Sequence, residues 1–268
     1  MDELKLLWIA LVVYVLTGCI AIFAVALDKR PERTVLGLLV AALMLHTLAI
    51  GLRWERLGHG PYVTMFEILS SNIWSLSLVF AIAYWRMPKV RPIAAVVMPI
   101  LFMMMGWMML MDKTPGPLPA TYHTIWLFIH IGFSKVFLGA VLVAVGMATV
   151  ILLREAGSGQ RFARLPESSR LDELAYRWMA LGLVFNSLML ISGAIWAQDA
   201  WGRYWAWDPL ETWAFITWLS LAIAMHARFT LKLKPRTGAL LIWVVFVSAF
   251  FTFFGIPFVN DVPHKGAV

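Results

Sequence analysis

Five tryptophans fall between Trp201 and Trp218, in the stretch WGRYWAWDPLETWAFITW. Trp201, Trp205, Trp207, Trp213 and Trp218 offer flat faces with one N–H each, a surface suited to a flat apolar ligand. An aromatic belt would also use indoles at a membrane–water boundary, with the ring among acyl chains and the N–H in the wet zone. A belt, however, calls for neither Gly202 nor an Asp-Pro start. Asp208 is a good N-cap, Pro209 suits the first helical position, and Glu211 stands where a capping-box carboxylate reaches back. An aromatic loop therefore runs into a capped helix.

Histidine is the second chemistry-bearing type, at His46, His59, His123, His130, His226 and His264. An ionisable group in an apolar segment is costly unless it has a partner or a task. His130 is read at the outer mouth of the fifth apolar segment, and His264 follows the eighth on the same side as the tryptophan loop. Either one alone reads as a satisfied surface histidine. Together, two neutral imidazoles flanking an aromatic platform form a cage for a flat metal macrocycle, with haem as the candidate. His226 lies roughly 25 Å along a helix from Pro209 at about 1.5 Å per residue, too far to share that ligand. His46, in mid-segment, reads as a packing histidine or as an iron ligand at a second site. Glu67, Asn72, Asn186 and Lys135 are further polar positions, and Glu67 is expected to hydrogen-bond a neighbouring helix. Arg53 and Arg203, read on the outer side, match carboxylates such as propionates bidentately.

The elements that position these residues follow from composition. With 61% hydrophobic and 14% charged residues, the 268-residue chain reads as an all-α polytopic membrane protein. Apolar segments are expected at 6–27, 34–52, 61–85, 92–111, 122–153, 175–196, 209–228 and 238–258, which makes eight spans. The fifth exceeds the roughly 20 residues that a bilayer requires, so TYHTIWLF is expected to lie at the surface before the helix dives. A long first segment and the mixed-charge start MDELK argue against a cleaved signal peptide. The single cysteine, Cys19, offers no intramolecular disulfide, CxxC pair or thiolate cluster.

The net charge of +7 is a topology signal. Fourteen Lys and Arg residues fall in the loops after spans one, three, five and seven, against six on the opposite side. The positive-inside rule then puts both termini and the tryptophan loop outside. No nucleic-acid patch is found. The loop REAGSGQRFARLPESSRLD reads as a polar connector without a catalytic motif.

The stretch WGRYWAWDPLETWAFITWL resembles the tryptophan-rich WWD signature of the haem-handling cytochrome c assembly proteins, specifically the CcsA/ResC branch of the system II pathway. GHGPYVTMFEILSSNIW, from Gly58 to Trp74, is similar to that family's GHxPxSNMYESL stretch. GAIWAQDAWG, AMHARF, an Ile-His pair in span five and a histidine in the tail extend the likeness over most of the chain. Leu210 stands where this branch usually has lysine, and the tail around Asn260 to His264 is short.

The resemblance implies a single transmembrane haem-handling domain over 1–268 and a haem site drawn from His130, His264, His226, Trp201, Trp205, Trp207, Asp208 and Trp213. Within it, His130 and His264 would be external ligands of a haem b iron and His226 a transmembrane ligand. The implied activity is haem export and presentation to apocytochrome c, whose CxxCH thiols add to the haem vinyl groups. The chain would then be the haem-handling subunit of a holocytochrome c synthase, working with a CcsB/ResB-type membrane partner, thiol-reducing proteins and membrane lipid. The implied location is the bacterial cytoplasmic membrane or the plastid thylakoid membrane, with the loop facing the periplasm, exterior or lumen. A HemX-like regulator of haem synthesis and a six-span CcmC-type haem-loading protein are the rival family readings. A solute carrier would predict inverted repeats, which the sequence does not show.

Overall fold

The computed structural model describes residues 2–256, and His264 lies outside the described residues. Among the described residues, eight helices are long and apolar enough to cross a membrane. They fall into two compact units, Met1–Leu118 with Ala156–Pro166, and Pro119–Glu155 with Glu167–Val268.

The first unit holds α1 (Glu3–Ala26), α2 (Glu32–Leu57), α3 (Met65–Arg86) and α4 (Ala94–Leu110). Local chemistry sets the boundaries. Asp2 caps α1, Gly58 ends α2 in the left-handed region at φ 74°, and Thr64 with Glu67 forms a reciprocal capping box on α3. Proline at 88 and 92 shapes the 3-10 turn Pro88–Ile93 that leads into α4. Tyr14, Phe66, Phe80, Met98 and Met105 fill the core. At one end of the unit, Arg53 donates through Nε to Glu67 Oε1 at 2.9 Å, through Nη1 to Glu3 Oε1 at 3.0 Å and through Nη2 to the Lys113 carbonyl at 3.2 Å.

The second unit holds α5 (Ile125–Glu155), α6 (Ser168–Trp201), α7 (Pro209–Leu231) and α8 (Pro235–Phe250), the last running into a π-helical turn, Phe251–Gly255. Helix α5 is buried on every side from Phe137 to Ala148 and packs on α6 and α8, as an all-round apolar helix must. At about 1.5 Å per residue, α5 and α6 are roughly 47 and 51 Å long, well beyond a hydrocarbon core of about 30 Å, so both project past the acyl zone.

Several expected boundaries move. Ile125 to Phe128 form the first turn of α5 instead of lying at the surface ahead of the helix, because the 3-10 turn Ala120–Tyr122 has already redirected the chain. Helix α6 extends outward to Ser168 and Trp201, drawing Arg170, Glu173 and Arg177 into i,i+3 and i,i+4 ion pairs that support its polar first turns. The connector after α5 is not featureless. Its Gly159–Phe162 turn packs on α1, with Phe162 and Leu165 buried in the first unit.

Candidate functional site

In the second unit, the start of α5 meets the end of α6. His130, in the second turn of α5, has its Nδ1 2.8 Å from the main-chain carbonyl of Met189. A carbonyl only accepts, so Nδ1 carries a proton, and in the neutral ring the lone pair is then on Nε2, the form in which imidazole ligates a metal. Two features of α6 make room for the ring. Gly193 lies so close that a Cβ there would stand 2.7 Å from Nδ1. Trp196 covers the imidazole at a centroid distance of 6.0 Å and a tilt of 31°.

That tryptophan is itself held. Its Nε1 donates to the Thr121 carbonyl at 3.0 Å, Tyr122 meets it edge-on at 5.9 Å, and Trp201 packs on it at 5.0 Å. Thr124 donates to Asp199 Oδ2 at 3.1 Å, tying the same two helix ends together. An aromatic series thus leads from His130 through Trp196 to Trp201, the last residue of α6.

Gly202, with φ 71°, ends α6 in the left-handed conformation that glycine adopts at no steric cost, and the loop to Asp208 follows. Trp207 sits at φ 59°, unusual for a bulky residue, and is 70% exposed. Trp205 packs edge-on against Trp207 at 5.6 Å and Phe215 at 6.3 Å. Its Nε1 is buried and has no acceptor among the described residues. Asp208 caps α7 by accepting from the Glu211 amide at 2.9 Å. Glu211 reaches back to the Ala206 amide at 2.7 Å rather than to Asp208, since the left-handed turn at Trp207 brings the earlier N–H round.

Trp213 packs edge-on against Phe251 at 4.7 Å, and its carbonyl accepts from Thr252 at 3.1 Å. Thr217 lies 2.8 Å from Thr252 and 2.9 Å from Ser248, so a hydroxyl cluster pins α7 to the π-helical turn that precedes residue 257. Arg203 is exposed and makes no ion pair among the described residues.

Residues 62–264 match the family described as "Cytochrome C assembly protein". The chain belongs to the cytochrome c assembly protein family. Among its curated relatives, "Cytochrome c biogenesis protein CcsA" of Guillardia theta is 30% identical, covering 85% of this chain and 84% of that protein. The protein of the same name from Synechococcus sp. (strain CC9902) is 30% identical over 82% of each. That of Chlamydomonas reinhardtii is 27% identical, and this chain spans 65% of its length. The solved structure of "Cytochrome c Heme Lyase CcmF" has the same fold, with a TM-score of 0.73 and 17% identity, over 95% of this chain and 47% of that one.

The remaining candidates of this cytochrome c assembly protein lie elsewhere. His226 is exposed near the far end of α7, 3.4 Å from the Thr230 hydroxyl, on a surface strip shared with Ile223 and Leu231. His46, Arg53 and Glu67 belong to the first unit. His46 is fully buried, with Nε2 3.0 Å from Ser70 Oγ and Tyr14 edge-on at 6.2 Å. Arg53 is 5% exposed, its guanidinium turned inward onto Glu3 and Glu67 instead of outward to a carboxylate ligand. Glu67 accepts from Arg53 of the neighbouring helix and from the amides of Val63 and Thr64.

Met189, Gly193 and Trp196 join the site only through the packing of α6 on α5. Gly193 carried a signal, because glycine inside a helix costs about 1 kcal/mol relative to alanine and so marks a close approach.

Proposed function

We propose that this chain handles haem in cytochrome c biogenesis, holding haem b at the α5–α6 end of the second unit and presenting it for covalent attachment to apocytochrome c. The observation that supports this reading is the His130 imidazole, whose Nδ1 is held on the Met189 carbonyl so that Nε2 is the ring nitrogen left to act as a ligand. The neighbouring residues fit an amphiphilic macrocycle. Trp205 brings a buried N–H with no acceptor among the described residues, and Arg203 an exposed guanidinium, both matched to propionate carboxylates. Trp207 presents an exposed aromatic plane, and Asp208 and Glu211 hold the loop that carries it.

In this reading the chain's residues bind, orient and ligate, while the client's own CxxCH thiols are the nucleophiles. Haem as substrate supplies the iron and the vinyl carbons to which those thiols add. Positioning alone accounts for large rate gains when two reactants are held in register. His130 would share the iron with His264, the client histidine would later replace one of them, and a CcsB/ResB-type partner would complete the assembly. His226 would serve a separate stage of haem transit across the membrane, and the tryptophan loop would face the periplasm, exterior or lumen.

The test is spectroscopic. Purified protein is expected to show six-coordinate low-spin haem. His130→Gly should lose that signature and regain it with added imidazole. A His130→Gly protein with an unchanged spectrum would remove His130 as an iron ligand, and an absence of haem from wild type under haem-replete expression would overturn the reading.

A further inference from the structure

Three stretches far apart in sequence meet at one end of the first unit: the turn between α1 and α2, the Pro88–Ile93 connector, and the Gly159–Phe162 turn with Arg164. They enclose a cleft of about 400 Å³. Six cations line it, Lys29, Arg30, Lys89, Arg91, Arg161 and Arg164, against two carboxylates, Asp28 and Glu32. Both carboxylates are already engaged. Arg164 holds Asp28 at 2.5 Å, and Arg91 pairs with Glu32. Lys29, Arg30, Lys89 and Arg161 are exposed, and none of their side chains has a hydrogen bond or ion pair among the described residues.

Ala24 and Val25, half-buried on α1, give the cleft an apolar wall, to which the buried Ala21, Val35 and Ala94 of the spanning helices also contribute. Charge bias between loops accounts for cations on one face of a membrane protein. It does not require three loops to fold around one concavity and leave four of its cations without a partner among the described residues. A cluster of free cations beside an apolar wall, at a helix end, fits an amphiphile with an acidic head. Guanidinium groups match phosphate oxygens, and lysines add point charges to them. No histidine lines the cleft, so an iron porphyrin would find propionate partners there but no axial ligand.

We propose that this cleft binds the phosphate headgroup of an anionic phospholipid, whose acyl chain lies against the alanine and valine wall. The full chain, purified in zwitterionic detergent, is titrated with phosphatidylglycerol and, separately, with phosphatidylcholine and with inorganic phosphate. Only phosphatidylglycerol should raise the melting temperature and persist in native mass spectra. The triple variant Arg30→Gln, Lys89→Gln, Arg161→Gln should bind it about tenfold more weakly or worse. A matched triple outside the cleft, Lys232→Gln, Lys234→Gln, Arg236→Gln, should bind like wild type. On the unaltered protein, phosphatidylglycerol should slow amide exchange at residues 27–31 and 159–165. Equal losses in both triples would reduce the effect to bulk charge and overturn the site. An equal response to inorganic phosphate would make it a soluble-anion site, and selective protection by haemin would make it a porphyrin site. Either result overturns the lipid assignment.

Discussion

Gly193 stands directly under His130, leaving no room for a methyl group between α6 and the imidazole, since a Cβ would lie 2.7 Å from Nδ1 and 2.9 Å from Cε1. Gly193→Ala should therefore turn the ring off Met189 while improving helix propensity by about 1 kcal/mol. The expected result is a protein of unchanged helicity, by circular dichroism, whose haem spectrum moves away from low spin. An unaltered spectrum would mean that the ring can shift without losing its ligating geometry.

Two substitutions separate the roles of the loop indoles. Trp205→Phe keeps the aromatic body but removes the buried N–H, and a hydrogen bond to a charged group contributes about 1.5–3 kcal/mol. Haem affinity should fall about tenfold or more. Trp207→Gly relieves a left-handed bulky residue, a strain of about 1 kcal/mol or more. It should leave thermal stability equal or higher while lowering retained haem. Loss of expression in Trp207→Gly would instead assign that indole to the fold.

His226 is exposed, and its one hydrogen bond among the described residues is long, so His226→Ala should change stability by no more than about 0.5 kcal/mol. If the histidine serves haem transit, cytochrome c assembly and the haem content at the His130 site should both drop, and exogenous imidazole should restore them. Normal assembly in the variant would leave a haem-presentation protein supplied by another route.

Arg53 is the hub of a buried network, and removing it strands the charge of Glu67 while leaving Glu3 only its half-exposed partner Arg56. Arg53→Met should cost roughly 3–5 kcal/mol, measured as a lower melting temperature in detergent. Adding Glu3→Gln and Glu67→Gln should recover part of the loss. A single variant as stable as wild type would show that water reaches these carboxylates.

The features legible in the sequence are those written locally. Eight apolar runs and the Asp208 cap of α7 depend on residues within a turn or two of one another, and the structure shows them close to where periodicity and capping chemistry indicate. Contacts between distant residues were not legible. Glu3 and Arg53 are fifty positions apart, His130 and Met189 fifty-nine, and nothing local to Met189 distinguishes the one carbonyl that receives an imidazole. In the sequence Arg53 reads as a loop cation, because its partners Glu3 and Glu67 lie on other helices. The 156–166 segment looked like a bare connector because Phe162 and Leu165 are too few to make a periodic signal, although both are buried.

That segment also bears on the order in which the protein can mature. The first unit contains Ala156–Pro166 as well as Met1–Leu118, so it remains incomplete until α5, which belongs to the second unit, has been synthesised. A nascent chain arrested before residue 156 would hold α1 to α4 without Phe162 against α1 and without Arg164 on Asp28. Dividing the protein into two polypeptides after Leu118 would leave the first of them with the same deficit. Co-expressed halves would have to restore in trans, from a short tether between two membrane helices, a contact that the intact chain makes by threading.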